Sequence, residues 1–425
     1  MFNFNLNKPP LVYNSLLITD AYEVYATRYF LHELPASQAV WRHTNRSRDH
    51  IKFADYIDEN ELRRQFDHAS RITLKPAELD YIASLTDPYG NRLVDDHMLQ
   101  FLKTYHMPRF QIRRSGNEYD IRVQGLAYET SWNETPGMAI LTDVMTRARV
   151  KKLGLTMDQF YEDADRVLDQ NIALIQTRPN LPFSEFGLRR AYTIEWHTYM
   201  VKKLHQAFVG KKQYAGTSRL DMSMELGTPQ IGTIPHKVFM ITAAWLRNHP
   251  DQLKQVQKIV MEKWSRLFPG LKTMLSDTYP GTFWNDFMEF ALSGQYDTVR
   301  PDSGNPFQNG IDVISKNYEW NTNLNVLFSD AVNIELAIKL FDYFIEYFVS
   351  KFGLGSVWSC NGTILSPVSH VIKPYFASSA ESNLYPCVKQ TLNGAKTMGE
   401  SDEVSYYNSV LNYNPADYPN IPVVY

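Results

Sequence analysis

The run Gly232-Thr233-Ile234-Pro235-His236 sets one histidine at the end of a small-residue turn, close to a second such turn, Gly216-Thr217-Ser218. Paired turns of this kind suggest loops shaped around a ligand, with His236 as a candidate catalytic group. A lone histidine is more often structural or merely exposed, so the residue type alone favours the plainer role. No His-x-x-x-His or Cys-x-x-Cys accompanies it, so a metal held tightly by the protein is not expected. Ser276-Asp277-Thr278-Tyr279 could supply a carboxylate to orient a histidine, although locally it is an ordinary helix N-cap pattern. Val299-Arg300-Pro301-Asp302-Ser303-Gly304-Asn305-Pro306 is a rigid polar turn between two prolines, and a plain surface turn would tolerate almost any polar residues there.

Glu185-Phe186-Gly187-Leu188-Arg189-Arg190 offers a ring to stack on, a glycine that admits a ligand to the backbone, and guanidinium forks for phosphate or carboxylate. Its plainer reading is a helix N-terminus with two exposed arginines. Leu17-Ile18-Thr19-Asp20-Ala21-Tyr22-Glu23 reads locally as a helix start capped by Thr19 or Asp20. Phe328-Ser329-Asp330 and Asn361-Gly362-Thr363 are strand ends with small polar residues, and a Gly-Thr turn entering a helix could cradle a phosphate. Neither contains Gly-x-x-x-x-Gly-Lys-[Ser/Thr], which excludes an ordinary P-loop ATPase.

These clusters need elements to hold them. Alternating runs around Phe110–Ile112 and Tyr119–Val123 flank Ser115-Gly116-Asn117 and predict a hairpin in a small N-terminal α+β domain. Phe53–Ala69 has the mixed charge of a solvated helix face. From about residue 136, long helices alternate with short apolar strands such as Val326-Leu327-Phe328, the pattern of a parallel sheet or (β/α) barrel. Pro250–Phe268 is the clearest helix, with a stripe of Leu253, Val256, Val260, Trp264 and Leu267; Ala331–Phe352 reads as a second, ending at Gly353. In such folds chemistry gathers on loops at the C-terminal ends of the strands, where the polar clusters fall.

Composition sets the frame. The 425 residues carry 43 Lys+Arg against 46 Asp+Glu, a net charge of −3, which leaves no global field for nucleic acid or anionic membrane. Aromatic residues make up 13% of the chain, excluding disorder as its overall description. Two cysteines, Cys360 and Cys387, argue against a disulfide scaffold. No apolar run approaches the ~20 residues of a membrane span, and no signal-peptide pattern opens the chain, so a soluble cytoplasmic protein is expected.

Taken in order, the clusters resemble one family, the nicotinate phosphoribosyltransferases. The resemblance runs from Leu17 to about Lys373 and rests on LLITDAYEVY, EFGLRRA, GTSRLDM, GTIPHKVF, VRPDSGNP, VLFSD and the Gly-Thr of CNGTIL. It implies transfer of the phosphoribosyl group of 5-phosphoribosyl-1-pyrophosphate to the nitrogen of nicotinate, coupled to ATP hydrolysis through a phosphohistidine. His236 is the implied phosphohistidine, and Asp277 the carboxylate that hydrogen-bonds it. Phe186 would stack on the pyridine, with Tyr22 of the partner subunit on the other face and Asp20 nearby. Arg189 and Arg300 would face phosphate or carboxylate, and Asp302, with Ser303 and Gly304 in its motif, would bind ribose hydroxyls or the water shell of a metal. Asp330, Gly362 and Thr363 would hold the ribose and 5′-phosphate. Mg²⁺ would be carried mainly by pyrophosphate or ATP, with no protein ligand set.

The resemblance further implies an irregular (β/α) barrel over 136–374, an N-terminal α+β domain over 1–135 completed by part of 375–425, and a homodimer with shared active sites. The amide-using relatives carry Asp where this chain has Ser218, and a hydroxyl can donate to a carboxylate, which favours nicotinate. The ending of Arg-Pro-Asp-Ser-Gly-Asn-Pro weighs toward the amide. Ser359-Cys360-Asn361 replaces the family's glycine before Gly362, and Pro235 restricts the backbone of Ile234. A nicotinamide enzyme and a non-catalytic member of the same fold are the alternatives.

Overall fold

The structure, a computed structural model, describes residues 9–392 and 396–417. Strands β1 (Gln38–Asn45), β2 (Gln111–Ser115) and β3 (Glu118–Leu126) open the chain's first sheet. The expected hairpin is β2–β3, with Ser115 opposite Glu118 and Gly116 at φ +61° in the turn, where a glycine carries no steric penalty. Strands β4 (Phe183–Glu185), β5 (Tyr214–Thr217), β6 (Thr273–Leu275), β7 (Thr298–Arg300), β8 (Asn325–Phe328) and β9 (Ser350–Leu354) form a parallel sheet in the order β5-β4-β9-β8-β7-β6. Helices lie between these strands, as the alternation predicts. The wall is an irregular one, with no ladder joining β5 to β6 among the described residues.

Strands β10 (His370–Ser378) and β11 (Leu384–Pro386) then leave this wall and return to the first sheet, giving the antiparallel order β11-β10-β1-β3-β2. C-terminal residues therefore complete the N-terminal α+β unit. The return starts at His370, a few residues ahead of the boundary at 375 that the sequence suggests. Fully buried Trp41, Trp132, Trp196 and Trp264 mark a core continuous across both units. Among the described residues no helix is long and apolar enough to cross a membrane.

Local sequence accounts for much of this. Met157–Gln176 is helical because Thr156 and Gln159 close a capping box and Phe160, Ala164, Leu168, Ile172 and Ile175 form one buried stripe. Two expected helices differ from their sequence reading. The Pro250–Phe268 stripe is buried at Leu253, Val256, Val260 and Trp264, but Lys254-Gln255 divides it into Pro250–Leu253 and Val256–Leu267. The helix expected over Ala331–Phe352 is Ile334–Phe344, and Ser350–Leu354 is instead β9. Parallel pairing of β9 with both β4 and β8 outweighs helical propensity there, and Gly353 lies inside a strand.

Candidate active site

His236 is the first residue of the helix His236–Trp245, at the mouth of the parallel sheet. Its Nδ1 lies 2.9 Å from the Thr278 hydroxyl, and its Nε2 lies 3.0 Å from Oδ2 of Asp302 and 2.8 Å from Nζ of Lys389. Asp277, the expected hydrogen-bond partner, stands 3.8 Å from Nε2 and instead accepts the Ser303 hydroxyl at 2.7 Å. The direct carboxylate partner is thus Asp302; Ser303 holds Oδ2 of Asp277, and the Oδ1 nearer the imidazole has no hydrogen-bond partner among the described residues. Thr278 and Asp277 cap nothing, since the helix Pro280–Leu292 begins beyond them without a side-chain cap.

Burial, reinforced by the Lys389 ammonium, lowers the His236 pKa to about 4 against the opposing pull of Asp277 and Asp302. The ring is therefore neutral at pH 7. Burial would raise the Asp302 carboxyl, but the His236 hydrogen bond and the Arg300 charge hold it well below the usual range. Burial likewise depresses the Lys389 ammonium and the Arg300 guanidinium.

Cations crowd this end of the site. Arg300, from β7, donates to the Thr233 hydroxyl and keeps a buried Nε without a protein partner among the described residues. Lys396 donates to Asp330 and lies 3.4 Å from the Asp302 carbonyl. Arg46, from the loop after β1, feels the Asp302 charge, as do Arg189 and Arg190. Gly304 takes φ +82°, and a Cβ there would stand 3.2 Å from Leu392, so the loop needs glycine for its conformation and close approach. The segment after β11 closes over these residues: Gln390 N–H donates to the Thr278 carbonyl (3.0 Å) and Leu392 N–H to the Ser303 hydroxyl (3.1 Å).

A second cluster adjoins the first. The Phe186 ring lies against Gly353, where a Cβ would stand 2.5 Å from it. Arg189 spreads between Oδ2 of Asp20 (3.5 Å) and Oε1 of Glu134 (3.4 Å), with its guanidinium 5.4 Å from the centre of the Tyr22 ring. Asp20 accepts the Ser218 hydroxyl at 2.6 Å and makes no cap bond to the helix Ala21–Glu33 that follows it. It thereby forgoes a cap of about 1 kcal/mol. Tyr22 belongs to the same chain as Arg189, with its hydroxyl 3.0 Å from that of Thr135; one chain already supplies this placement, where the resemblance implied the partner subunit. Beneath lie buried Glu23, Glu134 and Lys237, with Lys373 at their edge: Lys237 donates to Glu23 and stands 3.3 Å from Glu134, which Lys373 also reaches at 2.5 Å.

The structure gathers His236, Asp277, Asp302, Ser303, Arg300 and Asp330 in one cluster and Asp20, Tyr22, Arg189 and Ser218 in the next. The described contacts of Gly362 and Thr363 are to other residues. A Cβ on Gly362 would stand 3.0 Å from Val167, and Thr363 hydrogen-bonds Tyr192. Their turn leads toward β10, so no helix N-terminus follows it to cradle a phosphate. Sequence reasoning missed Thr278, Lys389, Lys396 and Arg46. The pair Lys389 and Lys396 was the available signal, in a stretch whose role the sequence left open.

Among the described residues, His236, Asp277 and Asp302 place one ligand atom each within 4.8 Å of one another, though no local motif links them. The trio does not fit resident magnesium. Mg²⁺ asks for oxygen ligands, one donor here is an imidazole nitrogen, and the Lys389 ammonium stands within hydrogen-bond distance of it.

Known proteins share this fold along nearly the whole chain. The crystal structure of nicotinate phosphoribosyltransferase from Porphyromonas gingivalis superposes with a TM-score of 0.80 at 22% identity, over 94% of this chain and 100% of that one. The one from Vibrio cholerae gives 0.79 at 23%, over 96% and 95%. At this identity the likeness speaks for the fold. Residues 17–142 match the N-terminal domain of the nicotinate phosphoribosyltransferase family, and residues 181–414, more than half of the chain, match the family itself. By that match, the chain belongs to the nicotinate phosphoribosyltransferase family.

Proposed function

We propose that this chain is an ATP-coupled nicotinate phosphoribosyltransferase, forming nicotinate mononucleotide and pyrophosphate for NAD salvage through a transient phosphohistidine at His236. The observation that carries this reading is a neutral, buried imidazole at the centre of a cationic wall of Arg300, Lys389, Lys396 and Arg46. Neutral imidazole is the nucleophilic form. Its nitrogen lone pair attacks the γ-phosphorus of ATP, the bond to the bridging oxygen breaks, and ADP leaves with the electron pair. Thr278 and Asp302 fix the ring, while the lysines neutralise the leaving charge.

In the transfer step the pyridine nitrogen bonds to carbon 1 of the ribose as the carbon–oxygen bond to pyrophosphate breaks. Positive character develops on the ribose, so positioning and leaving-group neutralisation dominate over acid–base work. Arg300 and the lysines face pyrophosphate, Asp302 and Asp330 face ribose hydroxyls, and Phe186, Tyr22 and Arg189 hold the pyridine. Mg²⁺ enters with the phosphates. A homodimer remains part of the proposal and is tested by light scattering.

The nicotinamide reading draws on one observation. The only Ser218 proton points to Asp20 in the described hydrogen bond, which turns an acceptor, suited to an amide NH₂, toward the ring site. Turnover of acid and amide with and without ATP decides between them. The proposal expects nicotinate to win and ATP to raise its turnover, and His236→Ala to abolish ATP coupling in a folded protein. A clear preference for the amide, or ATP hydrolysis unchanged by His236→Ala, would overturn it.

A further inference from the structure

We propose that Asp20 is a specificity-determining positioning residue, whose proton decides whether Ser218 offers a donor or an acceptor to the substituent on the pyridine ring. The inference deepens the functional reading above and rests on its placing the ring beside Ser218 and Arg189. Three observations support it. Asp20 occupies an N-cap position yet caps nothing, and its carboxylate is committed to Ser218 at 2.6 Å. The two loops are pinned together, since Ala21 N–H donates to the Ser218 carbonyl (2.7 Å), Leu220 N–H to that of Thr19 (3.0 Å), and Asp20 pairs with Arg219 in an antiparallel bridge. Both side chains are buried, at 2% and 3% exposure, so water cannot substitute for either partner.

A serine hydroxyl has one proton. With Asp20 ionised, that proton goes to Oδ1, and the lone pairs of Oγ are left for the ligand. An amide NH₂ is welcome there, while a carboxylate meets oxygen lone pairs backed by a second carboxylate. With Asp20 protonated, its O–H donates to Oγ and the serine proton turns to the ligand carboxylate. Nicotinate binding therefore takes up a proton, and nicotinamide binding does not. Burial raises the Asp20 carboxyl, which makes this uptake accessible.

The groups around Asp20 set its balance. Arg189, from the loop after β4, and His197 favour the carboxylate, as does the Ser218 hydrogen bond, while Glu185 at the end of β4 opposes it. Thr135 Oγ1 lies 3.2 Å from Oδ2 and also 2.9 Å from Glu23, so its proton is shared with the network of Glu23, Glu134, Lys237 and Lys373. The guanidinium of Arg219 is turned away, to Asp221.

The test measures kcat/KM for nicotinate and nicotinamide from pH 6 to 9, and proton uptake on binding of each by calorimetry in buffers of different ionisation enthalpy. In the wild type the nicotinate-to-nicotinamide ratio falls as pH rises, with uptake for the acid alone. Asp20→Asn, with its amide oxygen toward Arg189 and its NH₂ toward Ser218, offers a donor that does not titrate, so the ratio at pH 8 rises and becomes flat with pH. Ser218→Ala removes the relay and abolishes the pH dependence of the ratio, which keeps the proposal testable should Asp20→Asn fold poorly. A folded Asp20→Asn or Ser218→Ala protein with the wild-type ratio and pH slope would overturn the proposal while leaving the functional reading intact. A wild type that converts neither pyridine would remove that reading, and this inference with it.

Discussion

Nε2 of His236 lies 3.0 Å from Oδ2 of Asp302, and the same nitrogen lies 2.8 Å from the ammonium of Lys389. One ring nitrogen cannot donate to the carboxylate and accept from the ammonium at once. Lys389 favours the tautomer with Nε2 bare, and Asp302 the one with Nε2 protonated. Phosphate arriving beside Lys389 would draw off its ammonium, and Asp302 would then stabilise the charge on a phosphorylated or protonated ring. Lys389→Met should therefore raise the His236 pKa from about 4 toward its ordinary value. Histidine titration by NMR measures this, and a His236 signal still titrating near 4 would refute the assignment of Lys389.

The depressed His236 pKa also predicts how stability follows acidity. The folded state holds this group below the ordinary value of about 6.5, so its contribution is complete above that value and lost as pH falls through about 4. Across that window the unfolded chain binds the additional proton, and linkage sets the loss at about 3 kcal/mol. Urea unfolding of wild type and His236→Gln between pH 7 and 4 checks the sign: the wild type should show the steeper decline.

Glu23 and Glu134 share Lys237 in a fully buried cluster. Burial raises the Glu23 carboxyl to about 7 despite the lysine, whereas Glu134, despite its burial, is brought to about 2 chiefly by Lys373 and Lys237. Lys237→Met removes one cation from two buried acids and should destabilise the fold by about 3–5 kcal/mol. The loss should grow above pH 7, where Glu23 has given up its proton. Denaturant midpoints at pH 6 and pH 8.5 test both statements.

Gly353 is where the Phe186 ring rests. An alanine Cβ would stand 2.5 Å from that ring, so Gly353→Ala must displace it. The expected result is a raised KM for the pyridine substrate with KM for ATP unchanged, and a stability cost of about 1–3 kcal/mol. Equal effects on both substrates would show that the ring does not serve the pyridine alone.

What could be read from the sequence follows how local each determinant is. The β2–β3 hairpin and the core of β8 were legible, because a turn signal and a short apolar run act over a few residues. The end of the expected helix, residues 350–352, is strand instead, since only its neighbours β4 and β8 make it one. His236, Asp302 and Arg300 were visible as motif residues. Their partners were less so: Asp302, not Asp277, makes the direct hydrogen-bond contact with the histidine, and Lys389 carries no local mark of its role. Ser218 looked free to donate until Asp20 was found to take its proton. Distant pairings of this kind have no periodicity to betray them.

The return of β10 to the first sheet, carrying Lys389 and Lys396 over the barrel mouth, bears on the protein's birth. A chain emerging from the ribosome presents Arg300 and Asp302 roughly ninety residues before Lys389, and His236 earlier still, a lag on the order of 4–20 s from Asp302 at ordinary synthesis rates. During that interval the barrel residues can assemble while the cationic cover is still unmade. On the proposed mechanism, a nascent or prematurely terminated chain that lacks Lys389 and Lys396 would not turn over ATP until that segment has docked on the Thr278 and Ser303 loops.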